Sequence, residues 1–350
     1  MRRRSNRSTE VTPAQPLHTG FSQSRRAFLL AGAAVFLAGC SGVHAQNAAF
    51  GTRRYLGGGM PYEAFDELPS STVEVHGGSM QVAFAPGEFA LSEAKILDWI
   101  ESSADTVALY YGRFPVQHAR LLVLPTAGSG VRSGNAFAYG GAAIRLRVGL
   151  QTSQAQLDRD WVLVHEMVHL AFPSVNRRHH WIEEGLATYV EGVARAQAGR
   201  LSADRVWAGY IDGMPHGLPQ AGDRGLDNTP TWGRTYWGGA MFCLLADVQI
   251  RSRTHNRIGL QDALRGILAA GGNMEQDWPL TKAFEVGDAA TGVPVLMTLY
   301  NEMKDQPMPV DLPKLWRRLG VSVHGRRVVY HDDAPLAAIR RAITSAPHVS

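Results

Sequence analysis

Apolar and polar positions alternate with period two at 72–76 and 80–84, on either side of Gly77-Gly78, which predicts a β-hairpin. A helical stretch follows from about Leu91 to Tyr111, and 120–124 reads as a buried strand. The Gly- and Ser-bearing segment 127–134 reads as a loop. Residues 135–146 then form a strand, either a sheet edge or an interior member. Ser153-Gln154-Ala155-Gln156 fits a capping box, with Asp158 and Asp160 early in the helix it opens, where the helix dipole favours acids. That helix is expected to run to Pro173 and to gather Trp161, His165, Val168, His169 and Phe172 on one face. A polar turn at 176–180 leads into a second helix near Trp181, antiparallel to the first. Beyond Pro215, Pro219 and Pro230, residues 235–242 open another apolar helix. A mostly helical stretch at 258–319, a strand at 328–330 and a final helix from about Pro335 follow. The predicted class is α+β: a small mixed sheet and two packed helices at 69–200, then a mostly helical part at 201–350.

The N-terminus changes how the bulk charge is read. Ser24-Arg25-Arg26-Ala27-Phe28-Leu29 matches the twin-arginine export pattern, and the apolar run after it is too short for a transmembrane helix. Leu37-Ala38-Gly39-Cys40 is similar to a bacterial lipobox, making 1–39 a signal peptide and Cys40 a lipidation site; the alternative is an ordinary secretory signal with an incidental cysteine. Residues 1–39 hold six Arg and one Glu, so without them the formal charge falls from +4 to −1 and no nucleic-acid partner is expected. Residues 40–68, rich in Gly, Ala and polar side chains, read as a tether. The expected location is the bacterial cell envelope, lipid-anchored and facing the periplasm, with the outer membrane indicated by Ser41 after the cysteine. Cys243, the other cysteine, lies in an apolar helix and reads as a small core residue, so no disulfide is expected.

The candidate chemistry sits at His165-Glu166-Met167-Val168-His169. Residues i and i+4 share a helix face, so both imidazoles can reach one metal ion, and Glu166 is placed to take a proton from a water on it. A catalytic zinc takes three protein ligands and keeps a position open. The third is sought on the next helix, where Glu184 follows His169 after fourteen intervening residues. His179, His180 and Glu183 compete for the role; Glu183 points about 100° away from Glu184 around the helix, so only one of the two faces the metal.

This arrangement resembles the gluzincin metallopeptidases, the group of peptidase MA-like domains that includes thermolysin and the aminopeptidase N family. The resemblance rests on the His165–His169 pentapeptide and on Trp181-Ile182-Glu183-Glu184-Gly185-Leu186-Ala187-Thr188-Tyr189, with a spacer shorter than in aminopeptidase N relatives. It implies a thermolysin-like zincin domain with an exposed edge strand, one Zn2+ per chain on His165, His169 and Glu184, and Glu166 as general base. In the aminopeptidase N family a Tyr heading a Tyr-x-x-Gly-Ala helix donates to the oxyanion, which matches Tyr236. Asn135-Ala136-Phe137 is similar to the edge strand that pairs with extended substrate, making Asn135, Ala136, Phe137, Gly140 and Gly141 substrate-binding candidates and a peptide or protein the expected substrate. Ala142 and Ala143 stand where aminopeptidases carry an acid for the free amino group, which speaks against aminopeptidase specificity. The metzincin pattern is excluded, because Phe172 and Val175 occupy its Gly and His positions. Thr188 and Glu191 are candidates to hydrogen-bond a ligand histidine. Two rival readings are an inactive peptide-binding lipoprotein and a zinc hydrolase of non-peptide envelope substrates.

Overall fold

The computed structural model describes residues 55, 57–325 and 327–346. The expected signal peptide, 1–39, and Cys40 lie outside the described residues. Five strands form one mixed sheet: β1 (Ser70–Val75), β2 (Gly78–Phe84), β3 (His118–Thr126), β4 (Val131–Phe137) and β5 (Ala143–Gly149), in the order β1-β2-β3-β5-β4. The β1–β2 and β4–β5 pairs are antiparallel, and β3 runs parallel to both neighbours. Helix α1 (Glu93–Tyr111) makes the crossover from β2 to β3. The hairpin at Gly77-Gly78 is present.

The segment 135–146 is not one strand. Asn135, Ala136 and Phe137 end β4, the outer strand, and pair with Arg145, Ile144 and Ala143 of the interior β5. A turn through Tyr139-Gly140-Gly141 reverses the chain between them. Much of the expected loop 127–134 is strand as well.

The central strand β3 is buried on both faces, as a parallel strand in mid-sheet must be. Leu121 and Val123 join the main core under the helices. Leu122 and Leu124 face the other way and are covered by Tyr55, Met60, Ala64 and Phe65. Residues 55 and 57–68 are therefore a packed cover and not tether. The buried Arg145 guanidinium fixes this cover by donating to the carbonyls of Gly57 and Gly59.

The capping box at Ser153 closes, but only over the single turn Gln154–Leu157. The histidine helix is a separate element, α2 (Val162–His169), started anew by Asp160, whose carboxylate accepts from the Val162 and Leu163 amides at 3.2 and 3.0 Å. Helix α3 (His180–Gln197) packs on α2, and α4 (Ala203–Gly213) follows it. Next come a π-helical stretch, Gly233–Gly238, and α5 (Gly239–Arg253). Further helices and a β6–β7 hairpin (Val321–His324, Arg327–Tyr330) complete the chain. One core cluster runs from the inner face of the sheet through all these helices, and no boundary separates 69–200 from 201–350.

Candidate metal centre

The turn between α2 and α3 is held by a buried carboxylate far along the chain. Asp227 accepts from His179 Nδ1 and Trp181 Nε1 at 2.8 Å each, from Tyr300 Oη at 2.9 Å and from Arg178 Nη2 at 3.0 Å. Burial pushes its carboxyl up, but the Trp181 and His179 hydrogen bonds outweigh that and hold it below the usual range. His179 is thereby committed to Asp227. Glu183 turns away, accepting from His180 Nδ1 at 3.0 Å and from the Val175 amide at 3.4 Å.

Glu184 faces α2. Its Oε2 lies 3.3 Å from His165 Nε2 and 3.8 Å from His169 Nε2, and one donor atom from each of the three residues falls within 4.8 Å of the others. Two imidazole nitrogens and a carboxylate oxygen converging on one point form a donor set suited to zinc. His180, the remaining competitor, is half exposed and sits on the opposite oxygen, with Nε2 3.3 Å from Glu184 Oε1. It orients the carboxylate from outside the donor triangle.

The protonation states fit the same use. Burial raises Glu184, yet the hydrogen bonds from His165 and His180 prevail and hold it well below the carboxylate range. Burial lowers His169 to about 4, so it is a neutral imidazole at pH 7. Burial also lowers His165, but its bond to Glu184 wins and the net direction is upward. A proton on His165 and a dication would compete for the same atoms, so metal binding should release protons and weaken in acid.

Glu166 is buried one residue from His165, on the side of α2 that meets β4. Burial pushes its carboxyl up to about 7, against the positive side of His165 and a hydrogen bond from the Ala136 amide. Tyr236 lies within the π-helical stretch, a wide-turn geometry that recurs at functional sites. Its phenol hydrogen-bonds Glu184, and burial followed by the charges of Glu184 and Glu166 raises its pKa, so it stays a neutral donor.

Two glycines set the distance between these elements. A Cβ on Gly239 would stand 2.7 Å from Gly185 Cα, and one on Gly185 would stand 2.9 Å from the Ala240 amide nitrogen. Helices α3 and α5 therefore touch backbone to backbone, one residue after Glu184 and three after Tyr236.

Of the substrate-binding candidates, Asn135, Ala136 and Phe137 lie on the outer strand. Gly140 and Gly141 do not: they sit in the turn, where the Gly140 amide donates to Tyr62 Oη at 3.2 Å and Tyr62 Oη donates to the Gly141 carbonyl at 2.7 Å. Neither candidate partner reaches a ligand imidazole. Glu191 is paired with Arg195 at 3.2 Å, while Thr188 Oγ1 and His165 Nδ1 are buried with no hydrogen-bond partner among the described residues. Sequence reasoning missed Asp227 and the role of His180, and it matched Gly239 only as a small-residue position of the resemblance. For His180 the signal was present, since it precedes Glu184 by four residues on a helix.

No family model matches the sequence, and no curated protein matches it. Solved structures do. An aminopeptidase N family protein from Idiomarina loihiensis superposes with a TM-score of 0.50 at 13% identity, covering 74% of this chain and 50% of its own. An M1 zinc metallopeptidase from Deinococcus radiodurans gives 0.46 at 15% identity, covering 69% and 53%. The chain thus spans about half the length of the structures it matches, and at these identities the likeness is one of fold.

Proposed function

We propose that this chain is a zinc-dependent peptidase. The reading is carried by one observation: three donor atoms converge between α2 and α3, with a buried carboxylate and a neutral phenol against them. His165, His169 and Glu184 would hold the ion, and a zinc bound there supplies a Lewis acid that polarises a carbonyl and lowers the pKa of water. Glu166 takes the proton from the attacking water and delivers it to the departing amine nitrogen; its raised affinity for a proton suits both halves of that transfer. Tyr236 donates its hydroxyl to the negative charge that develops on the carbonyl oxygen, and being neutral it brings no competing charge. The exposed side of β4 offers main-chain groups to an extended peptide, which favours a peptide substrate over a compact one.

The N-terminal pattern supports a location in the bacterial envelope, held by lipid on Cys40. A Cys40→Ser variant should leave the membrane fraction, and continued membrane retention would refute that placement.

Glu166→Gln tests the mechanism. The variant should bind one zinc per chain by elemental analysis and lose about 10²–10⁴-fold in kcat on a cleaved peptide. Normal turnover by it would rule the mechanism out. Glu184→Ala should lose the zinc.

A further inference from the structure

Gly134 is a glycine with no backbone reason to be one. Gly128 and Gly130, just before it, have φ of +87° and +76° with nothing within 4 Å of a built Cβ: they are turn glycines in open space. Gly134 is the reverse. It lies inside β4, paired with Leu146 of β5, and is not among the residues with positive φ. Glycine inside a strand weakens it, and its usual explanation is close approach by another group. Here that group is Glu166. A Cβ on Gly134 would stand 2.8 Å from both Cδ and Oε1 of Glu166, and closer still to Cγ. Two residues on, the Ala136 amide donates to the same carboxylate. Gly134 and Ala136 share one side of the strand by its period of two.

We infer that Gly134 is a positioning residue for the general base: the space left by its missing Cβ is the seat of the Glu166 carboxylate, and the Ala136 amide is the back of that seat. The strand offered to the substrate therefore also fixes the base, so substrate backbone and base share one rigid reference. The part played in turnover rests on the peptidase reading; the seat itself does not.

Gly134→Ala tests it. The backbone there accepts alanine, and the group displaced is the free end of a side chain, so the variant should fold, bind one zinc and melt close to the wild type. Expected are a fall in kcat of about 30-fold or more with KM within about threefold. In the zinc-loaded protein the Ala136 amide 1H–15N resonance should also move in the direction seen for Glu166→Ala. In a Glu166→Ala background, which has no side-chain atom beyond Cβ to crowd, adding Gly134→Ala should lower the residual kcat by no more than about threefold. An unmoved Ala136 amide overturns the inference, as does an equal kcat loss in both backgrounds, which would put the damage in the strand. If the zinc-loaded wild type cleaves no peptide, the peptidase reading fails, and the amide resonance still decides the seat.

Discussion

Replacing Gly239 by alanine should damage stability and catalysis together, for one geometric reason. The new methyl would stand 2.7 Å from Gly185 Cα and 3.2 Å from Gly185 N, and closer still to the Trp181 carbonyl oxygen. Carbon atoms pack comfortably at about 3.5–4.0 Å, so α3 and α5 must part by roughly 1 Å at this point. Every atom in the way is helix backbone, so no rotamer change relieves the clash. Overpacking of this kind costs about 1–3 kcal/mol, and the upper half is expected here. A Gly-to-Ala gain in helix propensity, at most about 1 kcal/mol, returns part of it. The net loss of about 1–3 kcal/mol, at about 2.1 cal/mol/K per residue over roughly 290 folded residues, corresponds to a fall in Tm of roughly 2–5 °C. The same displacement carries the Tyr236 phenol away from Glu184, and a misplacement of about 1 Å in a catalytic constellation costs on the order of 10²-fold in rate. The assay is a urea melt with kcat measured on the zinc-loaded variant. Gly209→Ala is the control: it lies in α4 with nothing within 4 Å of its built Cβ, so alanine there should be neutral or stabilising. If Gly239→Ala is as stable as Gly209→Ala and keeps its kcat, the helices are not in backbone contact and the reasoning is wrong.

Asp227→Ala leaves His179, Trp181 and Tyr300 without their buried acceptor and should cost about 3–5 kcal/mol, read as a lower urea midpoint. Because the folded pKa of Asp227 is depressed, its charge contributes stability above the ordinary carboxylate range, and the gap between variant and wild type should narrow as pH falls below about 4. Chelation should abolish turnover and lower Tm, with both restored by zinc; His169→Ala should show no chelator-dependent Tm. The base works ionised, so kcat/KM should fall with acid; a cation beside it lowers its pKa, placing the limb between the ordinary 4.5 and about 7. A limb absent down to pH 4 would argue against Glu166 as the base.

What was legible in the sequence was whatever one element decides alone. The i, i+4 histidines needed only a helix, and the 100° step between Glu183 and Glu184 needed only its pitch; in the fold, Glu184 faces α2 while Glu183 turns to His180 and Val175. The capping box at Ser153 was also read from local chemistry, yet its helix stops after one turn and Asp160 starts the next. In 135–146 a reversal at Tyr139-Gly140-Gly141 was hidden within an apolar run that looked continuous. Asp227, and why Gly239 must be small, were illegible on other grounds. Asp227 meets partners 46 to 73 residues away in sequence, and Gly239 must be small because of Gly185. No window along the chain contains both halves of either fact.

The misread cover, residues 55 and 57–68, shows that a non-local fact can still leave a local trace. Its Gly-rich composition suggested a tether, but Leu121-Leu122-Val123-Leu124 is apolar at consecutive positions, so β3 cannot have a solvated face. Leu122 and Leu124 needed a cover. The helices after β5 lie with Leu121 and Val123 on the other side of the sheet. The apolar residues just upstream of the hairpin, Tyr55, Met60 and Phe65, were available for the task, and they take it. Counting which faces of a predicted sheet demand burial, and which segments can supply it, would have placed this cover before any coordinates existed. The same count gives no help with Gly134, whose requirement is set by one carboxylate on a neighbouring helix. Burial demand is a property of whole faces and survives in the pattern; close approach is a property of atom pairs and does not.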